Sequence, residues 1–419
     1  MFARLLYSLL WHLILPLVGL RLLWRARRQP EYLQHVGERF GAAPSFGGEP
    51  VIWLHAVSVG ETRATQPLVK AILARYPAHR ILLTHMTPTG RATAQELYGR
   101  ESRVSSCYLP YDLPWAVRRF LRRVRPNLGI VMETEVWPNL LVAAKQQGIP
   151  MVLANARLSE RSARGYLRLG GLAQATFAAF SAVLAQTADH AKRLEACGAK
   201  APQVLGNVKF DVTVDPAKLA LGKEFRAMVG TRPVILAAST REGEEGPLLS
   251  AFGQHAPADA LLVLVPRHPQ RFDEVAALIT MQGFTMARRS EGLNMLPQTQ
   301  VWLGDSMGEM HAYCQMADVA VIGGCWLPLG GQSLIEACAI GIPVILGPHT
   351  FNFADAAEQA IAEGAAVRCQ DLKEAMIAAW GILADAKRRK AMGEAGRAFA
   401  QASQGATERT MGVLAEFLH

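Results

Sequence analysis

The stretch ADVAVIGGCWLPLGGQSLIEACAIGIPVILGP, residues 317–348, constrains the fold more than any other part of the chain. Val319–Ile322 is an apolar run of strand type. A glycine-rich turn follows at 323–331, then a segment of helical character at 333–339, then a second apolar run ending at Gly347-Pro348. Strand, turn, helix and strand in that order make a βαβ unit of a parallel sheet. Such sheets are covered on both faces, so their strands are apolar throughout rather than alternating. The rest of the chain repeats this pattern. Apolar runs at 51–57, 81–85, 128–132, 151–154, 182–186, 233–237, 261–265 and 301–303 are separated by helical segments. A chain of 419 residues is too long for one ordinary domain. The expected class is α/β, with two similar Rossmann-like halves. The divisions are an N-terminal helix at 1–29, a first domain at 30–206 and a second at 207–419, whose last helix can pack back on the first.

The net charge of +9 favours an anionic partner. Basic residues gather at Arg21, Arg25, Arg27 and Arg28, and again at Arg118, Arg119, Arg122, Arg123 and Arg125. Neither group is interleaved with aromatic residues as a base-stacking surface would be, so nucleic acid is not the expected partner; a solvated helix face accounts equally well for the second group. The six cysteines include no CxxC pair, and the histidines show no HExxH spacing. Reduced buried thiols and no protein-held metal are expected. No cofactor is expected either.

Residues 5–20 of the segment MFARLLYSLLWHLILPLVGLRLLW carry no formal charge. That run is shorter than the roughly 20 residues an upright transmembrane helix needs, and Pro16 would kink it. No small-residue cleavage site follows. The segment therefore reads as a short membrane anchor or as a helix lying in the interface, with a buried helix of the fold as the plain alternative. The positive charge of Arg25–Arg28 places the body of the protein in the cytoplasm, at the inner face of a membrane.

Polar clusters follow the predicted strands one after another: SVGE, METEVWPN, NARLS, STREGEE, PRHP and GDSMGEM. Ligands of open parallel sheets bind outside the carboxyl ends of the strands. Two such domains facing one cleft would bring two sets of loops together. Glu61 is the sharpest candidate, following Ser58 and Gly60 at a strand-to-helix turn. A carboxylate there can take a proton from an acceptor hydroxyl as the hydroxyl attacks, or merely complement the helix dipole. Glu133 and Glu135 form a second pair whose role is as readily substrate-orienting as catalytic, and Arg157 sits in the next cluster. Arg267, in a proline-stiffened loop, can stack on or hydrogen-bond a base. Lys209 can reach a phosphate, and residues 305–309 look like a helix start whose N–H groups suit a nucleotide. Glu336, about a turn into the helix after the glycine turn, can accept from ribose hydroxyls.

Together these motifs resemble those of the Kdo (3-deoxy-D-manno-octulosonic acid) transferases, membrane-associated enzymes of lipopolysaccharide assembly with the two-domain GT-B fold. The matching pieces, in chain order, are HAVSVGE at 55–61, METEVWPN at 132–139, NARLSERS at 155–162, GNVKFD at 206–211, PRHPQRF at 266–272, GDSMGEM at 304–310 and GPHTFNF at 347–353. The resemblance implies CMP-Kdo as donor, a phosphorylated lipid A precursor as acceptor, and an inverting reaction without a metal held by a DxD motif. It implies Glu61 as catalytic base, Arg267 with Met307, Gly308 and Glu309 at the cytidine, Lys209 near the phosphate and Glu336 at the ribose. Two positions depart from the family pattern. Gln332-Ser333 stand where His-Asn is usual, and Arg241 where histidine is common. A hydroxyl at Ser333 can still cap a helix and meet a phosphate. A transferase or epimerase using another nucleotide sugar, and a non-catalytic lipid-binding adaptor, are the competing expectations. A dinucleotide oxidoreductase is disfavoured because no GxGxxG follows the first strand of either half.

Overall fold

The computed structural model describes residues 2–211, 215–257, 259–292 and 296–418. The chain divides into two compact units, Met1–Asp211 with Gln404–His419, and Val212–Ser403.

The first unit is built on β1 (Val51–His55), β2 (Arg80–His85), β3 (Val104–Tyr108), β4 (Leu128–Met132), β5 (Met151–Ala156), β6 (Ala182–Ala185) and β7 (Gln203–Val204). Their order is β3-β2-β1-β4-β5-β6-β7, all parallel. Every residue of β1, β4 and β5 is buried, as strands covered on both faces require. One face carries Trp53, Phe120, Leu121 and Leu153. The other carries Ile52, Leu54, Ile72 and Ile130, and the chain's final helix, Ala406–Ala415, completes it with Met411 and Leu414. Asp211 fastens that return. Its carboxylate accepts the backbone N–H of Gly405 at 2.6 Å and that of Thr407.

The second unit is built on β8 (Val234–Thr240), β9 (Leu261–Pro266), β10 (Met286–Arg288), β11 (Val301–Leu303), β12 (Val319–Ile322), β13 (Val344–Leu346) and β14 (Ala366–Arg368). The order is β10-β11-β9-β8-β12-β13-β14, again all parallel. Strand order reverses between β1 and β4 in the first sheet and between β8 and β12 in the second. Those are the crevices where such sheets take ligands.

The N-terminal helix, Phe2–Ala26, is long and apolar enough to cross a membrane by length and composition. Trp11, Leu15, Val18 and Leu22 pack on Tyr111, Leu113 and Ala116 of the first unit. Its other faces are exposed. The segment after it forms two 3₁₀ turns, Pro30–Leu33 and Val36–Phe40. After β1 the chain forms two helices, Val59–Ala64 and Gln66–Arg75, rather than one, because Pro67 cannot continue the first one's hydrogen-bond ladder. Strands β3, β7, β10 and β14 were not legible in sequence. They are short, carry polar residues and lie at or near sheet edges, where burial on both faces does not force an apolar run.

Candidate functional site

In the first unit, β1 ends at His55 and the chain turns into the short Val59–Ala64 helix. Ser58 caps that helix with its side chain, accepting from the Glu61 N–H. Glu61 reaches back in return. One carboxylate oxygen accepts the Val57 N–H at 2.8 Å and the other the Ser58 hydroxyl at 3.0 Å. This is close to a capping box, and it fixes the carboxylate beside β1's carboxyl end. Burial pushes the Glu61 carboxyl up from its usual range. The nearby Glu133 charge adds to that shift, while the Val57 N–H, the Ser58 hydroxyl and Lys209 oppose it.

Across the strand-order reversal, β4 runs into Glu133, whose backbone adopts φ 58°. A side chain in that left-handed region costs about 1 kcal/mol or more and persists where surrounding structure imposes it. Here the imposition is visible. The Glu133 N–H bonds Ala154 O at 3.0 Å, and its carboxylate meets Lys209 Nζ at 2.7 Å. Glu135 is pushed up to about 7, first by burial and then by the charges of Glu61 and Glu133. Three carboxyl groups and one ammonium thus gather at the carboxyl ends of β1 and β4. Gly60 is exposed beside Glu61, and Arg157 joins through its backbone, where its carbonyl accepts the Thr134 hydroxyl.

What seats Lys209 is a network that single residue types did not advertise. Asn155, at φ 53° and 2 % exposed, accepts the Val208 N–H at 3.1 Å. Gln186 bonds both Asn155 O and the Asn207 side chain, and Asn207 in turn caps the Val208–Phe210 turn by accepting the Lys209 N–H. The motifs NARLS and GNVKFD are therefore one construction. The signal in sequence was only that both follow strands.

In the second unit the loops after β11, β9, β8 and β12 are neighbours at one edge. Arg267 follows β9, with its N–H on Thr240 O at 2.9 Å, and its Nε donates to Gln332 Oε1 at 3.2 Å. Gln332 thus does in this chain what the departure from the family pattern left open: it orients the arginine. Ser333 Oγ accepts the Ile335 N–H at 3.3 Å, at the head of the Ile335–Ile340 helix. Glu336 is half-buried, and its carboxylate makes no hydrogen bond or ion pair among the described residues. Met307 is 50 % exposed, and Gly308 has φ 75°. The expected helix start at 305–309 is displaced. The helix begins at Met310, and Glu309 is instead clamped by Arg289 through two bonds of 3.0 Å and by the Ser306 hydroxyl at 2.6 Å.

The N–H groups of the glycine turn are engaged from within the protein: Gly324 N donates at 2.7 Å and Trp326 N at 3.1 Å to the carboxylate of Glu244. Glu244 is 1 % exposed and also takes the Arg241 N–H at 2.9 Å. Its neighbour Glu245 is equally occupied, by Thr240 and Arg271. The cluster STREGEE thus builds the turn from behind. Gly323 must be glycine for a plain reason: a Cβ there would lie 2.4 Å from Ser239 O. Among the described residues no group of three or more His, Cys, Asp or Glu is arranged to hold a metal.

Residues 34–212 match the family model described as 3-deoxy-D-manno-octulosonic-acid transferase (kdotransferase). The chain is 47% identical to a 3-deoxy-D-manno-octulosonic acid transferase of Bordetella pertussis, over 98% of this chain and 99% of the relative. It is 36% identical to one of Haemophilus influenzae, over 97% of this chain and 96% of the relative. Among solved structures, a glycosyltransferase from Rickettsia africae covers 88% of this chain and 99% of its own, with TM-score 0.59 and 15% identity. A UDP-GlcNAc 2-epimerase from Neisseria meningitidis covers 88% of this chain and 100% of its own, with TM-score 0.58 and 13% identity. At those identities the likeness is one of fold, the GT-B architecture of paired parallel sheets. Identity of 47% and 36% over nearly the whole chain to 3-deoxy-D-manno-octulosonic acid transferases makes the chain a member of the 3-deoxy-D-manno-octulosonic acid transferase family of glycosyltransferases.

Proposed function

We propose that this chain moves Kdo from CMP-Kdo to a phosphorylated lipid A precursor in lipopolysaccharide assembly, with inversion and without a protein-held metal. The observation that carries the reading is the Glu61 constellation at the β1–β4 reversal. A carboxylate of raised pKa, fixed by Val57 and Ser58, stands among Glu133, Glu135 and Lys209. In the step, an acceptor hydroxyl oxygen forms a bond to the anomeric carbon of Kdo. The bond from that carbon to the CMP phosphate oxygen breaks, and CMP leaves with the electron pair. The hydroxyl proton passes to Glu61, whose raised pKa suits it to accept one. Attack opposite the leaving phosphate in one displacement inverts the anomeric centre.

On the donor side, Arg267 held by Gln332 suits the cytosine and Glu336 the ribose hydroxyls, with Met307, Gly308 and Glu309 lining the nucleotide and Ser333 near the phosphate. Lys209 supplies positive charge for the leaving phosphate, in equilibrium with its Glu133 partner. Ser58, Gly60, Glu133, Glu135 and Arg157 orient substrate around the base. The exposed apolar N-terminal helix and the arginines beside it suit an anionic inner-membrane surface, with both units in the cytoplasm.

The test is Glu61→Gln assayed with CMP-Kdo and a defined acceptor. CMP binding should persist while transfer falls by at least a hundredfold; near-normal turnover removes Glu61 from the role. Transfer undiminished by EDTA and an inverted anomeric centre in the product, read by NMR, check the other two elements. Competition by CMP but not UDP separates this reading from an epimerase or a transferase using another nucleotide sugar.

A further inference from the structure

The N-terminal helix presents two different sides. The residues shielded by the first unit are Arg4, Tyr7, Ser8, Trp11, Leu15, Val18, Leu22 and Arg25. Their steps of three and four trace one continuous stripe along the helix. At 1.5 Å per residue, the stripe from Arg4 to Arg25 is about 31 Å long. It is held at several points. Ser8 Oγ bonds Asn139 Oδ1 at 3.0 Å, Trp11 stacks on Tyr111 at 5.9 Å, and Arg25 donates to Tyr32 at 3.2 Å. The opposite side shows Leu6, Leu9, Leu13, Leu17, Leu20 and Trp24, all exposed and all apolar.

A helix that crosses a bilayer needs apolar surroundings on every side over roughly 30 Å. This helix has them on one side only. Along nearly the same length the other side is occupied by a folded unit whose contact surface includes Asn139, itself bonded to the buried Asp112. To cross, the helix would have to leave that surface or drag it through the hydrocarbon.

A second set of exposed apolar residues lies on the same unit. The N-terminal helix packs against the Gly171–Phe177 helix. Just before that helix stand Leu167, in the last turn of the Glu160–Arg168 helix, and Leu169, at its C-terminal end, 48% and 56% exposed. Arg161, Arg164 and Arg168 lie on the same helix as Leu167, exposed and without ion-pair partners among the described residues. Trp115, 44% exposed, continues the aromatic chain Trp11–Tyr111–Phe40–Trp115, beside the exposed Arg118, Arg119 and Arg122. Exposed leucines and an exposed tryptophan on helices that also carry exposed arginines without ion-pair partners fit a surface that is apolar below and anionic at its rim.

We propose that the N-terminal helix lies in the plane of the lipid interface, with its leucine side in the acyl layer and the first unit docked along its other side. Leu167 and Leu169 then make a second insertion point into the same anionic leaflet. The inference rests on the membrane association proposed above and adds its geometry. The partner is a bilayer containing acidic phospholipid.

Two measurements test it. A protease-cleavable tag placed ahead of Met1 should be cut in sealed inside-out membrane vesicles, from the face that carries the first unit; cleavage only from the opposite face would show a spanning helix and overturn the proposal. Leu167→Asp with Leu169→Asp in the full chain should lower partitioning onto phosphatidylglycerol-containing vesicles by roughly tenfold, because each variant side chain replaces an inserted apolar group by an anion. Partitioning equal to that of the parent overturns the second insertion point. Transfer from CMP-Kdo to a detergent-dispersed acceptor, run on the same preparations, shows that the double variant is folded. It also keeps the two readings apart: loss of transfer in the parent chain counts against the proposed reaction and leaves the membrane geometry standing.

Discussion

Removing the Glu244 carboxylate should loosen the glycine turn on the donor side. In Glu244→Ala the N–H groups of Gly324, Trp326 and Arg241 lose their acceptor. A buried donor left without a partner costs about 1–3 kcal/mol. Gly324 is fully buried and bears the whole of that cost, whereas Trp326 and Arg241 are half-buried and can recover part of theirs from water. A net loss of about 2–4 kcal/mol to the local stability of the turn follows, and at 1.4 kcal/mol per factor of ten this is about 30- to 1,000-fold faster opening. Glu244→Gln should cost far less. One carboxylate oxygen already takes both the Gly324 and Arg241 bonds, and an amide oxygen placed there keeps both. Burial also pushes the Glu244 carboxyl up, so its charge is not stabilising in its own right. Native-state hydrogen exchange of peptides covering 322–334 measures this, with CMP affinity as the functional readout. Exchange in Glu244→Ala indistinguishable from the parent would refute the claim that this carboxylate holds the turn.

The pH dependence of transfer should follow the charges around Glu61. The proposed base must be ionised to act, so the acid limb of the rate profile should follow the raised pKa of Glu61. Lys209 lowers that pKa and Glu133 raises it. Lys209→Met should therefore move the limb to higher pH and Glu133→Gln to lower pH, read from kcat/KM against pH. Asp211→Ala should destabilise the first unit by about 1–2 kcal/mol by uncapping the start of the Ala406–Ala415 helix, seen as earlier thermal release of that helix; an unchanged unfolding curve counts against the cap. Gly323→Ala should abolish CMP binding, since a Cβ 2.4 Å from a backbone carbonyl forces β8 and β12 apart; a variant that binds CMP normally contradicts the contact.

Much of the fold was legible because burial on both faces of a parallel sheet leaves a mark in every central strand. Residues 51–55, 128–132, 261–265 and 319–322 are apolar at each position or nearly so, and all are strands. The edge strands β7, β10 and β14 bury less and carry no such mark. The candidate site was legible in outline for a related reason, since the polar clusters stand where strands end. Which of those polar groups face a ligand and which hold the loops was not legible. Glu61 and Glu244 are both glutamates near a helix start after a strand. Both stand at a strand-order reversal with both oxygens hydrogen-bonded, but Glu61 is only half-buried, whereas Glu244 is buried with its lone pairs filled by the turn it supports.

The sequence alone determined the α/β class, the repeated strand-helix pattern, the apolar N-terminus and the family. All of these rest on side-chain type and spacing along the chain, which are local. The tertiary structure decided which partners each polar group meets. Lys209 pairs with Glu133, Gln332 turns to Arg267, Asp211 fastens the last helix, and one side of the N-terminal helix is docked. Each of these is a contact between residues far apart in sequence, and a hydrogen bond or a buried face is defined only once folding has brought its second half into place.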